Sequence, residues 1–239
     1  MKATYRVPVP KLIPQRKPYP PLAVTAALFA LLFAGMAIAI IWLLGVDDPI
    51  RLKHLIEDSG PVQGFGQTAI GLAFACALAY TVLDRERRVS YLFLSYLLMF
   101  YFLREADYHY KLSEHAKATQ FKRFFLHEQI PLTSKLFLAT IVILFLVVLY
   151  RYLRDHRWGL LHALQQRLPW SIGAVIWAAV FVSSQLVDQV PLFHTTKGQV
   201  FEEVFEASAE VIALLSLILF RVQLWGDRRG ALGAAATST

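Results

Sequence analysis

LAVTAALFALLFAGMAIAIIWLLGV, residues 22–46, contains no charged side chain. A helix that crosses a membrane needs about 20 mainly apolar residues, because each rises about 1.5 Å across roughly 30 Å of hydrocarbon. This run exceeds that length. On its N-terminal side lie Lys2, Arg6, Lys11, Arg16 and Lys17, interleaved with Pro8, Pro10, Pro14, Pro18, Pro20 and Pro21. The prolines forbid a helix there, so residues 1–21 read as an extended basic tail on a membrane surface. A secretory signal would have an apolar region of about 7–15 residues. Residues 22–46 run well past it and read as an uncleaved span.

The composition agrees. The chain has 239 residues, of which 56% are hydrophobic and 17% charged, with a mean hydropathy of +0.48. Soluble domains are about a quarter charged. A disordered chain, a coiled coil and most soluble enzymes are excluded. The expected class is all-α, a polytopic membrane protein with the bilayer as its main partner. Six stretches are apolar enough to span: Leu22–Leu44, Gln63–Leu83, Ser90–Leu103, Ser134–Tyr150, Pro169–Val187 and Glu203–Leu224. They define a transmembrane domain over residues 22–226, followed by a tail, residues 227–239, whose GALGAAATST reads as disordered.

The net charge of +7 would suggest nucleic acid in a soluble protein. Here its distribution matters more. The N-terminal tail, Asp84–Val89, Arg151–Leu168 and Arg221–Thr239 together carry +11, and the remainder −4. Basic loops stay in the cytoplasm, so six spans with both termini inside fit the pattern, and nucleic acid drops out as a partner. The connection Arg104–Thr133 is basic yet lies outside, as long connections are permitted to do. The short DRERRV loop, residues 84–89, demands a tight hairpin. Two outer connections read as interfacial helices. In residues 48–58, Asp48 is an N-cap and Pro49 occupies the first helical position, with Leu52, Leu55 and Ile56 on one side. In residues 115–130, Phe121, Phe124, Phe125 and Ile130 stand among Lys122, Arg123, His127 and Glu128. Cys76, the single cysteine, excludes an internal disulfide and reads as buried packing. Trp42, Trp158, Trp170 and Trp225 sit at span ends, where an aromatic belt belongs, and Trp177 within span five reads as packing.

Two stretches concentrate polar groups at the outer ends of the spans. Leu103 to Tyr110 leaves span three, and Phe201 to Glu210 enters span six. Glu203, Glu206 and Glu210, spaced i, i+3, i+7, form one stripe on a helix, with Glu210 roughly 10 Å deeper than Glu203. A carboxylate at that depth must be protonated, paired, hydrated or bound to metal. Ala207 and Ser208 are small enough to admit a neighbouring helix closely. Glu105 and His109 share a helix face, as do Asp107 and Lys111, and Arg104 is the counter-charge for a glutamate of span six. Gln63, Gln67, Gln185, Asp188 and His194 are further contributors.

The candidate cluster is therefore Arg104, Glu105, Asp107, His109, Glu203, Glu206 and Glu210, and three readings stay open. It is a structural ion-pair network, suited to a scaffold or assembly protein with a membrane partner or a second copy. Alternatively, Asp107, His109, Glu206 and Glu210 hold a divalent metal such as zinc, iron or manganese. An enzyme built on that metal would be a hydrolase acting at the outer interface. The third reading is a proton- or cation-coupled pathway, against which the cytoplasmic halves of the spans hold almost no ionisable groups. A membrane haem, a multi-histidine ceramidase-type hydrolase and a rhomboid-type protease all fail for want of intramembrane histidines. Gly64-Phe65-Gly66 is too short to be a nucleotide fingerprint.

Arg104-Glu105-Ala106-Asp107-Tyr108-His109, then Phe121-Lys122-Arg123-Phe124-Phe125, then Ile130-Pro131-Leu132, resembles the pattern of a family of bacterial polytopic inner-membrane proteins with no assigned activity. Those proteins have Arg-Glu-x-Asp-x-His after a span, an aromatic and basic stretch, and a Val/Ile-Pro-Leu lead into the next span. Phe201 to Glu210 also fits. The resemblance covers the middle of the chain and span six. It implies a bacterial inner membrane and a common location for the two polar stretches, and transfers no mechanism.

Overall fold

A computed structural model of the chain describes residues 19–56, 60–105, 121–126, 128, 130–190, 193 and 195–236. The described residues form helices, turns and bends and contain no strand. The helices are α1 (Leu22–Leu44), α2 (Pro49–Ile56), α3 (Pro61–Leu83), α4 (Arg88–Glu105), α5 (Phe121–Leu126), α6 (Leu132–Gln165), α7 (Pro169–Gln189) and α8 (Thr196–Ala236), with a 3-10 turn at Arg85–Arg87. Four stretches are long and apolar enough to cross a membrane: Leu22–Leu44, Pro49–Leu83, Leu132–Gln165 and Pro169–Val187. The second owes its apolar length to α3. The described residues are all-helical, and the four stretches are compatible with a membrane setting.

Local chemistry explains the breaks. Asp48 caps α2, its Oδ1 accepting from the Ile50 amide at 2.9 Å, and Pro49 supplies the preset φ of the first helical residue. Pro169 does the same for α7, where Ser171 Oγ donates to the Leu168 carbonyl at 2.7 Å. Between α6 and α7, Arg167 takes φ 54°. The Arg167 amide donates to Leu164 O at 2.9 Å, and the Leu168 amide to Ala163 O at 2.9 Å. This left-handed closure is usually made by glycine.

Contacts divide the chain into two units, residues 1–70 with 157–239, and residues 71–156. In the first unit α8 packs against α7, α1 and α2. Phe29, Val180, Ala209, Ile212 and Leu219 form one buried cluster. Leu43, Leu52, Ile56, Val200 and Val204 form another. The directions follow from the pairs. Leu43, at the end of α1, meets the start of α8, whereas the Tyr19 amide, just before α1, donates to Gln223 Oε1 at 2.8 Å. Helices α1 and α8 are therefore antiparallel. Trp170, at the start of α7, packs edge-on against Phe220 at 5.1 Å. Near the other end of α7, Gln185 meets Glu206. Helix α7 is thus also antiparallel to α8, and runs with α1. Gly173 permits the approach, because a Cβ there would collide with Ser216 Oγ and lie 3.2 Å from Phe29.

In the second unit α3 and α4 form the hairpin expected of DRERRV. The Tyr80 and Tyr91 rings are 5.3 Å apart, and Phe102 approaches Gly71. Asp84, buried in the turn, lies 3.5 Å from the Arg87 guanidinium. Arg88 Nε donates to the Thr81 carbonyl at 3.0 Å. Phe100 stacks on Phe145 of α6 at 4.1 Å.

Several boundaries differ from the hydropathy reading. Helix α6 runs 15 residues past Tyr150, to Gln165, because Arg151, Leu153, Arg154 and Leu161 are good helix formers whatever their polarity. Helix α8 begins at Thr196 and reaches Ala236, through most of the tail read as disordered, where alanines favour continuation. The apolar side of α2 is covered: Leu52 and Ile56 are buried against Leu43, Val200 and Val204, so protein, not lipid, takes that face. Of the expected helix over residues 115–130, Phe121–Leu126 is described and helical. Cys76 is half-buried, not buried. Trp42, Trp158 and Trp225 are exposed, as a belt requires, and Trp170 is packed into the α7–α8 core.

Candidate functional site

The acidic stripe lies on the first half of α8. Val200, Val204, Ala207 and Ala209 are buried, while Glu202, Glu203 and Glu206 are half-buried. One turn beyond Glu206, Glu210 is 2% exposed. The spacing that predicted one stripe thus places its deepest member in the protein interior.

Two neighbouring helices shape the surroundings. From α7, Gln185 Nε2 donates to Glu206 Oε1 at 2.9 Å. This bond ties α7 to α8 at this level. Beside Gln185, Ser184 is fully buried, and its hydroxyl donates to the Phe181 carbonyl at 2.8 Å. From α3, Gly66 stands against Glu210. A Cβ at Gly66 would overlap Glu210 Oε2 and lie 2.8 Å from Ala207 Cα. The small residues Gly66 and Ala207 therefore let α3 and α8 approach at backbone distance, as the Ala207-Ser208 reading anticipated. Gln63 and Gln67 are half-buried on α3 near Gly66, and Gln63 Oε1 has no solvent access.

The structure brings together Glu206, Glu210, Gln185 and Gly66, with Glu203 one turn before Glu206 on the same helix. Arg104 is half-buried near the end of α4, in the second unit, and Glu105 is the last residue of that helix. Asp107, His109 and His194 lie outside the described residues, as does the side chain of Asp188. Among the described residues no group of three His, Cys, Asp or Glu side chains is arranged to hold a metal ion. Of the four expected ligands, Glu206 and Glu210 belong to that described set.

Sequence reasoning missed Gly66, passing over Gly64-Phe65-Gly66 because the triplet lacks a nucleotide-binding context. The signal was the pair of glycines at the start of an apolar helix, together with Ala207-Ser208 inside another, which are the residue sizes close helix crossing needs. No family model, curated protein or solved structure matches the chain.

Proposed function

We propose that this is a six-span protein of a bacterial inner membrane, with both termini cytoplasmic and a divalent-cation site at the outer end of its bundle. Two spans beyond the four apolar stretches are part of this reading: Ser90–Leu103 within α4, and Glu203–Leu224 within α8. Helix α8 lies beside α1 from Leu43 to Tyr19, so a membrane crossed by α1 is crossed by α8 as well. Helix α4 folds back along α3, and the same argument extends to it. Orientation follows from the basic loops. The bacterial setting follows from the resemblance carried by Arg104 to His109.

The observation that carries the cation reading is Glu210, 2% exposed and one turn from Glu206. Two carboxylates at i, i+4 share one helix face, so they can offer oxygen donors to a single cation. The further ligands of this reading, Asp107 and His109, come from the sequence alone, and with the two glutamates they would make a mixed oxygen and nitrogen donor set that suits zinc, iron or manganese. A metal held there would activate water, making hydrolysis at the outer interface the corresponding reaction.

The test is elemental analysis of detergent-purified protein prepared without chelators. Stoichiometric metal that disappears in Glu210→Gln supports the site. Less than about a tenth of an equivalent in the wild type, with zinc, iron and manganese each supplied during purification, overturns it.

The Gln185–Glu206 bond favours a second reading, in which the polar groups clamp helices together and the protein acts as a scaffold for a membrane partner or a second copy. Glu210→Gln separates the two. Loss of folded protein identifies a clamp, whereas a folded variant that has lost metal identifies a site.

A further inference from the structure

Where α1 ends, Ile41, Trp42, Gly45, Val46, Asp47 and Arg51 line an open cleft of about 540 Å³, within the usual range of small-molecule sites, about 300–1,000 Å³. Its two sides differ. Ile41 and Trp42 are exposed at the end of an apolar helix, and a tryptophan at a span end suits the zone where acyl chains give way to headgroups. Asp47 and Arg51, both exposed, bring opposite charges to the rim. Asp48 also lines the cleft, with its Oδ1 occupied in capping α2. Among the described residues neither Asp47 nor Arg51 has an ion-pair or hydrogen-bond partner for its side chain.

We propose that this cleft binds the headgroup of a zwitterionic phospholipid bearing a primary ammonium, of the phosphatidylethanolamine type. The phosphate meets Arg51, whose planar fork matches phosphate oxygens. The ammonium meets Asp47, with the Trp42 ring beside it as a cation-accepting face. The acyl chains continue along the exposed side of α1 past Ile41 and Ile38. Opposite charges at the rim select a dipolar headgroup over an anionic one such as phosphatidylglycerol, which brings the same phosphate to Arg51 but no ammonium to Asp47. A quaternary ammonium lacks the N–H donors that Asp47 accepts from. This inference is independent of the acidic stripe on α8.

The experiment is native mass spectrometry of the full-length protein in detergent, titrated separately with phosphatidylethanolamine, phosphatidylcholine and phosphatidylglycerol of identical chains. The expected result is preferential binding of phosphatidylethanolamine. Arg51→Gln and Asp47→Asn should each weaken it about tenfold, the equivalent of one charged hydrogen bond, with thermal unfolding unchanged because both side chains are exposed. Equal binding of the three lipids by the wild type overturns the proposal, whatever the variants do. So does undiminished binding of phosphatidylethanolamine by both folded variants.

Discussion

Gly66 owes its identity to what stands opposite it. A methyl group there would meet the Glu210 carboxylate and the Ala207 backbone, and backbone cannot yield as a flexible side chain does. Gly66→Ala should therefore cost about 1–3 kcal/mol, the usual range for overpacking a close contact, read as a lower thermal unfolding midpoint in detergent. The control lies on the same helix. A Cβ at Gly64 meets nothing within 4 Å, so Gly64→Ala should leave the midpoint unchanged or raise it slightly. Equal effects of the two changes would refute the close α3–α8 crossing. Gln185 has a different role, as donor to Glu206 at 2.9 Å. Hydrogen bonds between membrane helices contribute about 0.6–2 kcal/mol. Gln185→Leu should lose about that much and Gln185→Asn, one methylene shorter, a comparable amount. Scanning calorimetry of the purified variants measures both.

The turn between α6 and α7 works through backbone geometry. Arg167 sits at φ 54°, a left-handed conformation that costs a residue with a Cβ about 1–2 kcal/mol. Arg167→Gly should be neutral or stabilising by up to about 1 kcal/mol, since relief of that cost competes with greater freedom of the unfolded chain. Arg167→Pro should cost about 3 kcal/mol, because proline cannot adopt the angle and removes the amide bonded to Leu164 O. Thermal unfolding of the two variants tests the pair of signs. This element also shows what a single sequence conveys. Pro169 and the apolar run behind it announce the start of α7, whereas Arg167 gives no hint of a positive φ. The same division holds for the other elements. Hydropathy locates where the chain tolerates lipid, so residues 22–44 were legible to the residue. It does not locate where a helix stops, and α6 and α8 continue through polar segments that propagate a helix equally well. At the site, spacing revealed the Glu203, Glu206 and Glu210 stripe, because helical period is a property of one element. The apposition of Gly66 with Glu210 depends on the register between two helices far apart in sequence, which no local pattern encodes.

The directions of α1, α7 and α8 bear on the topology of the whole chain. Tyr19 meets Gln223 at one end of the first unit, and Leu43 meets Val200 at the other. If α1 leaves the cytoplasm, α8 returns to it, and α7, parallel to α1, leaves again. Gly66, early in α3, lies level with Glu210, early in α8, so this contact belongs to the end opposite Tyr19. The basic segments follow the same division: Arg151, Arg154, Arg157 and Arg167 precede α7, and Arg221, Arg228 and Arg229 lie beyond the middle of α8. These directions and charges support the proposed arrangement of six spans with both termini inside. Cys76 is the only native cysteine, so a Cys76→Ser background permits single-cysteine labelling. Ile50, 82% exposed beyond the far end of α1, and Trp158, 70% exposed in the extension of α6, are predicted to face opposite sides. A membrane-impermeant maleimide should label Ile50→Cys in intact cells and Trp158→Cys only after permeabilisation. Labelling of Trp158→Cys in intact cells would place the basic side outside and reverse the assignment of the acidic stripe. Equal accessibility of both before permeabilisation would remove an odd number of crossings between them, and with it the six-span arrangement.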